Sequence, residues 1–464
     1  MESNLRQNCS PHIARKLAFC AMFGFVAVCG LAPELILNRE TLARAQQSPE
    51  ADQYQTAPGA GNREAIDLSR KSPIVQSAHK FLITQAGKVR DPKLRKETLD
   101  AIANTDTCIQ HRAHLTEADK TRVLQDLLNS GFVSAQDDAT FPGGLRAGVF
   151  PPVIADGSAC PHLPQTFFSA PGGAFGGHHS YPGGLPIHEA NNEVADVNLA
   201  NEYREVYGYS SGGLPTLNTQ QIERQSHSDR SDIWIDQDIV LAAPIWHDWA
   251  KSIVFQWRRD GSEFQELSIG GNGATDNNGS SGDSTTGAHH ILSIAESIKR
   301  GLSPAFVIAQ ASAHSTPANG NEFKIVNWLQ AASIIARIDP VQKGYLSVDT
   351  TGHRRLPALR GLDGADLLDS VQGPATLLVE YSLHNLSDAG SSFSSPALRS
   401  AERILRQLAP SFGIDPKDLG TYNNRFRNPI LSFLTAERLW IIYSEKGLTG
   451  AKAELEKLRQ KKII

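Results

Sequence analysis

The chain has 464 residues, a formal net charge of −4, 40% hydrophobic residues and 20% charged ones. The length suggests two or three domains with a sizeable core. The slight acidic excess excludes the basic footprint expected of a duplex nucleic-acid binder. Fifteen histidines, several of them paired between His178 and His290, ask instead for a metal hypothesis.

Arg6, Arg15 and Lys16 precede the apolar run LAFCAMFGFVAVCGLA, from Leu17 to Ala32. This is the secretory pattern, with Ala43 and Ala45 as an A-x-A cleavage site before Gln46. Residues 1–45 are therefore expected to be a signal peptide and the chain exported, periplasmic or secreted. The alternative is an uncleaved N-terminal anchor, although the run is shorter than the ~20 residues of a full span. No other segment reads as transmembrane. Of five cysteines only Cys108 and Cys160 lie beyond residue 45. They form either one disulfide or two buried thiols.

Residues 46–64 read as a flexible tether. Over 65–150, SPIVQSAHKFLITQ and TEADKTRVLQDLLNSGF show helical periodicity. Thr116 and Asp119 form a capping-box pattern, and Gly131 marks a stop. His111 and His114 have the spacing of a metal-binding pair or of a polar surface. Gly- and Pro-rich chain over 140–187 leads into a helix from about Leu185. Another helix is expected from Asp236 to Trp257. The low-complexity stretch Ser268–Gly287 reads as a lid or a disordered insert. Helices resume at His289, Pro304 and Glu322. After Gly344, ATLLVEYSLHNL reads as a β segment and PALRSAERILRQLA and ILSFLTAERLWIIYSEKGL as helices. The expected fold is mainly α, divided into regions 65–150, 151–345 and 346–464.

A hydrolytic metal site needs imidazoles and carboxylates converging from different helices, with a position open to water and substrate. The stretch from His178 to Asp339 offers such groups in series. They are His188, the adjacent His247 and Asp248, the pair His289–His290, His314, and Asp339 in ARIDP. Asp248 and Lys251 are three residues apart and share a helical face, which places an ammonium beside a metal-binding carboxylate. His178 reads as structural or supporting, and His384 and Asp388 as structural. Trp246, Trp249, Trp257 and Trp328 read as core.

The order His…His-Asp…His…His…Asp resembles the HD-domain superfamily of metal-dependent phosphohydrolases. HHSYPGGLPIHEANNEVA is similar to the opening motif of its exoribonuclease-like branch, and IVLAAPIWHDWAK to the segment carrying its His-Asp pair and lysine. GAHHI, QASAHSTP and IDP match the later ligand positions. The resemblance covers roughly residues 175–342. It implies an HD-like helical bundle over 151–345. The implied metal ligands are His188, His247, Asp248, His290, His314 and Asp339, with Asp248 bridging if two ions bind. At His289–His290 the motif favours His290. Lys251 and His179 are implied to face the phosphate. The implied cofactor is one or two divalent transition metal ions (Mn, Fe, Zn, Ni or Co), and the implied substrate a small phosphorylated compound or short oligonucleotide. Trp249-Ala250 replaces the family's small aliphatic-Gly step. The alternatives are a di-iron oxygenase on the same fold and a non-catalytic exported metal-binding module.

Overall fold

The computed structural model describes residues 59–154, 157–208, 233–262, 265–271, 283–318, 320–357 and 378–464. The expected signal peptide, most of the tether and the middle of the low-complexity stretch lie outside these residues. Helix α1 spans Asn62–Lys71, α2 Pro73–Ala86, α3 Pro92–Ala103 and α4 Glu117–Asn129. Short helices α5 (Ala135–Thr140) and α6 (Gly144–Val149) precede the long α7, Gly184–Tyr207. Then come α8 (Gln237–Trp246), α9 (Lys251–Val254), α10 (Ala288–Lys299), α11 (Pro304–Ala311) and α12 (Glu322–Ala336). The C-terminal part holds α13 (Val379–Asp388), α14 (Ser391–Leu408), α15 (Leu419–Tyr422), α16 (Asn428–Leu434) and α17 (Ala436–Gln460).

The architecture is mainly α. The strands among the described residues are two short antiparallel pairs, Ser268–Ile269 with Thr286–Gly287 and Ser347–Val348 with Arg354–Arg355. Among the described residues no helix is long and apolar enough to cross a membrane.

Local chemistry sets the helix starts. Ser72 and Asp91 cap α2 and α3, each with proline at the first position, whose fixed φ suits a helix entry. The capping box at α4 forms as expected: Thr116 Oγ1 accepts from the Asp119 amide, and Asp119 accepts from the Thr116 amide.

One apolar core runs from Leu82 to Tyr381, and it does not divide at the boundaries expected near 150 and 345. Each side chain fully buried in it contributes about 1.5–3 kcal/mol. A second cluster joins α14, α16 and α17 around Tyr181. The N-terminal helices are held to α10 by a buried polar knot. Arg300 bonds Glu296, Glu97, Asp100, Thr107 and the carbonyl of Cys108, and Glu296 also accepts from the His111 ring at 2.8 Å. His111 is thus a buried hydrogen-bond donor to Glu296 rather than half of a metal site with His114. Cys108 and Cys160 are disulfide-bonded, with Cα atoms 5.6 Å apart.

Two element expectations are corrected. The helix expected to reach Trp257 ends at Trp246 and turns through 247–250 before α9. The proposed β segment is helix α13 from Val379 onward. Its buried residues, Glu380, Tyr381, Leu383, His384 and Ser387, follow a helical repeat, and three of them are ionisable.

Candidate metal centre

The Pro182-Gly183-Gly184-Leu185 turn opens α7 and fixes where the first histidine sits. Gly183 lies at φ +81°, and a Cβ on Gly184 would collide with the carbonyl of His179. From there α7 buries an unusual stripe of polar groups: His188, Glu189, Asn192, Glu193 and Asp196.

His247 sits in the turn that ends α8. Its Nδ1 donates to the carbonyl of Pro244 at 2.9 Å, which leaves Nε2 as the lone-pair nitrogen. That Nε2 lies 3.3 Å from Asp248 Oδ2 and 3.5 Å from Asp388 Oδ1. His188 Nε2 lies 3.2 Å and 3.3 Å from the same two oxygens. The other oxygen of Asp248, Oδ1, is 3.2 Å from His289 Nε2. His314 completes that side: Asp248, His289 and His314 each offer a ligand atom within 4.8 Å of the others. The two oxygens of one carboxylate thus face two separate sets of imidazoles.

At the start of α10 it is His289 that turns toward Asp248. Its Nδ1 bonds Glu266 Oε2 at 2.6 Å, the carboxylate–histidine arrangement that orients a metal ligand. His290 instead stacks on His314 at 4.2 Å and meets Trp328 edge-on. The terminal acid is also different. Asp339 is exposed and caps a turn, accepting from the amides of Val341 and Gln342. It lies beyond the end of α12, which stops at Ala336. Asp388, at the end of α13, occupies the position that Asp339 was expected to fill. His384 on the same helix packs edge-on to His247, with ring centroids 5.0 Å apart.

Lys251 is buried beside Asp248, bonded to its carboxylate and to the carbonyl of Gly172. His179 turns its Nε2 toward Glu437, at 3.3 Å, rather than toward Lys251. Trp249 packs in the core, where its indole donates to the Ala101 carbonyl at 2.9 Å, so the bulky residue does not narrow the site.

Burial alone would raise the Asp248 carboxyl. His247 and Lys251 beside it, together with His188, overcome that cost and hold the group well below the usual carboxylate range. Burial would lower His289, but the Glu266 and Asp248 carboxylates push it up to about 9. Glu189 and Glu193 are both pushed up to about 7, chiefly by burial. Burial carries His178 well below the ordinary imidazole range and His179 down to about 4, so both rings are neutral near pH 7.

A cation fits this set. His247 Nε2, Asp248 Oδ1 and His289 Nε2 are buried and lack a hydrogen-bond partner among the described residues. A buried polar atom left this way costs about 1–3 kcal/mol, which a bound ion removes. The buried His and acid cluster can therefore hold a metal ion. No protein-family model matches the chain, and no curated protein and no solved structure is similar to it.

Proposed function

We propose that the chain is an exported metal-dependent phosphohydrolase of the HD type, with two metal positions bridged by Asp248. The observation that carries this reading is the division of Asp248. Oδ2 faces His188 and His247 beside Asp388, and Oδ1 faces His289 beside His314. A carboxylate placed this way can bridge the two ions of a hydrolytic site.

His188, His247, Asp248 and Asp388 would hold one ion, and Asp248, His289 and His314 the other. Bound ions would supply Lewis-acid neutralisation of the phosphoryl oxygens and an acidified water. The protein's own groups do the rest. Pro244 and Glu266 fix the tautomers of His247 and His289, so the nitrogens arrive oriented. Lys251 holds the bridging carboxylate in place and sets a positive charge at its Oδ2. His314 is exposed and Asp388 partly so, which leaves the centre open on that side. An open side supports catalysis over a closed structural site. Mixed imidazole and carboxylate donors suit Mn, Fe, Zn, Ni or Co. The Cys108–Cys160 bridge supports an oxidising compartment and thus export.

The test is metal content and turnover together. Asp248→Ala and His247→Ala are each expected to lose the metal held around Asp248 and all hydrolysis of phosphomonoester and phosphodiester substrates. Full activity in either variant overturns the proposal.

A further inference from the structure

The Asp248 centre leaves His178 and His179 unused. One ring nitrogen from each of His178, His179 and His188 lies within 4.8 Å of the other two. The ring centroids are 4.6 to 5.7 Å apart. In all three rings Nδ1 is buried and has no hydrogen-bond partner among the described residues.

The backbone is shaped to bring them together. His179 sits at φ +53°, a conformation that costs a residue with a Cβ roughly 1–3 kcal/mol and that persists where the surroundings impose it. Gly172 makes room: a Cβ there would stand 2.7 Å from His179 Cβ and 3.1 Å from His188 Cβ. The Gly172 amide also donates to the His179 carbonyl at 3.0 Å. These contacts press the His178–His179 turn against the start of α7.

Neighbouring carboxylates favour a cation over an anion. Glu437 Oε1 stands 3.3 Å from His179 Nε2, and a negative charge at that distance repels an anion. His188 turns Nε2 to Asp248, Asp388 and the side-chain amide of Asn192, and no described group claims its Nδ1.

We propose that His178, His179 and His188 form a separate three-imidazole site for a borderline divalent ion such as Zn2+, joined to the Asp248 centre through the His188 ring. Three imidazole nitrogen donors suit zinc, copper, nickel or cobalt. The proposal rests on the Asp248 reading only in that His188 is shared. With both sites filled, that ring gives Nε2 to one ion and Nδ1 to the other, and its proton is released to solvent.

The experiment loads the metal-free protein with Zn2+, removes excess by gel filtration and counts zinc per chain by mass spectrometry. Wild type is compared with His178→Gln/His179→Gln and with Asp248→Asn, each checked for helical circular dichroism. The double variant is expected to lose one zinc per chain. Asp248→Asn is expected to keep one, with an X-ray absorption spectrum showing imidazole ligands. The single change His178→Gln, at a half-buried ring, serves if the double variant does not fold, and is expected to weaken one zinc at least tenfold. Unchanged zinc content and affinity in the histidine variants overturns the three-imidazole site and leaves the Asp248 centre standing. Zinc lost from the histidine variants but fully retained by Asp248→Asn supports the trio and counts against the Asp248 centre. No zinc in wild type overturns both. Inorganic phosphate binding that disappears in the histidine variants, with zinc unchanged, makes the trio an anion site and also overturns the proposal.

Discussion

Glu266 offers the sharpest measure of how the second metal position is built. Its Oε2 accepts from His289 Nδ1 at 2.6 Å and from the His289 amide at 3.2 Å. Both bonds fix the same residue, one through the ring and one through the backbone. In Glu266→Ala the ring keeps its place on α10 but loses the acceptor that selects its tautomer, and loses the negative charge that makes Nε2 a better donor. Removing such a partner typically costs 10–100-fold in metal affinity, or about 1.4–2.7 kcal/mol. The loss should fall on one ion only. His188, His247 and Asp388 have no contact with Glu266, so their position should keep its affinity within about threefold. The assay is calorimetric titration of metal-free protein with Zn2+ against a competing chelator, fitted to the two positions at Asp248 and the His178–His179–His188 site. Glu266→Gln keeps an acceptor but not the charge and should fall between wild type and alanine. Equal affinities at both positions in wild type and Glu266→Ala, within about twofold, would refute the assignment of His289 as a ligand.

Two aspartates separate the position inferred from sequence from the one found in the fold. Asp388→Ala is expected to lower metal content, and Asp339→Ala to leave it unchanged; the reverse, measured by mass spectrometry, would restore the sequence-based assignment. The buried knot at Glu296 predicts an acid limb. Burial would raise this carboxyl, but bonds from His111 and the charge of Arg300 hold it at about 2. A depressed carboxyl contributes stability that is present above its unfolded pKa of about 4.3 and is lost as pH falls toward 2, here about 3 kcal/mol. Glu296→Gln should therefore be destabilised at pH 7, by about 3 kcal/mol, because His111 loses its carboxylate partner and Arg300 one of three. Its urea-unfolding stability should also fall less than wild type's between pH 5 and pH 3. Parallel acid limbs in the two proteins would show that Glu296 does not carry the effect.

The sequence was informative where chemistry dictates residue type and local geometry, and misleading where polar groups are buried. The helices after Ser72 and Thr116 were readable because helical periodicity and, at Thr116, a capping box act within a few turns. His188, His247, Asp248 and His314 were readable because each carries its own local context, such as the Gly183-Gly184 turn before His188. Helix α13 failed for a physical reason. Val379, Tyr381 and Leu383 alternate with Glu380, Ser382 and His384, which imitates the period of a half-buried strand. In the fold Glu380 and His384 are buried as deeply as Tyr381 and Leu383, so apolar alternation no longer reports burial. The misreading had a consequence for the site. Four residues of strand would separate His384 from Asp388 by ~13 Å, against ~6 Å along a helix. Only the helix lets one reach the His247 ring while the other reaches its Nε2. The same reasoning explains why α7 shows little amphipathic signal: the face it buries is a stripe of histidine, asparagine and acids, and a helix that buries such groups cannot also display an apolar stripe.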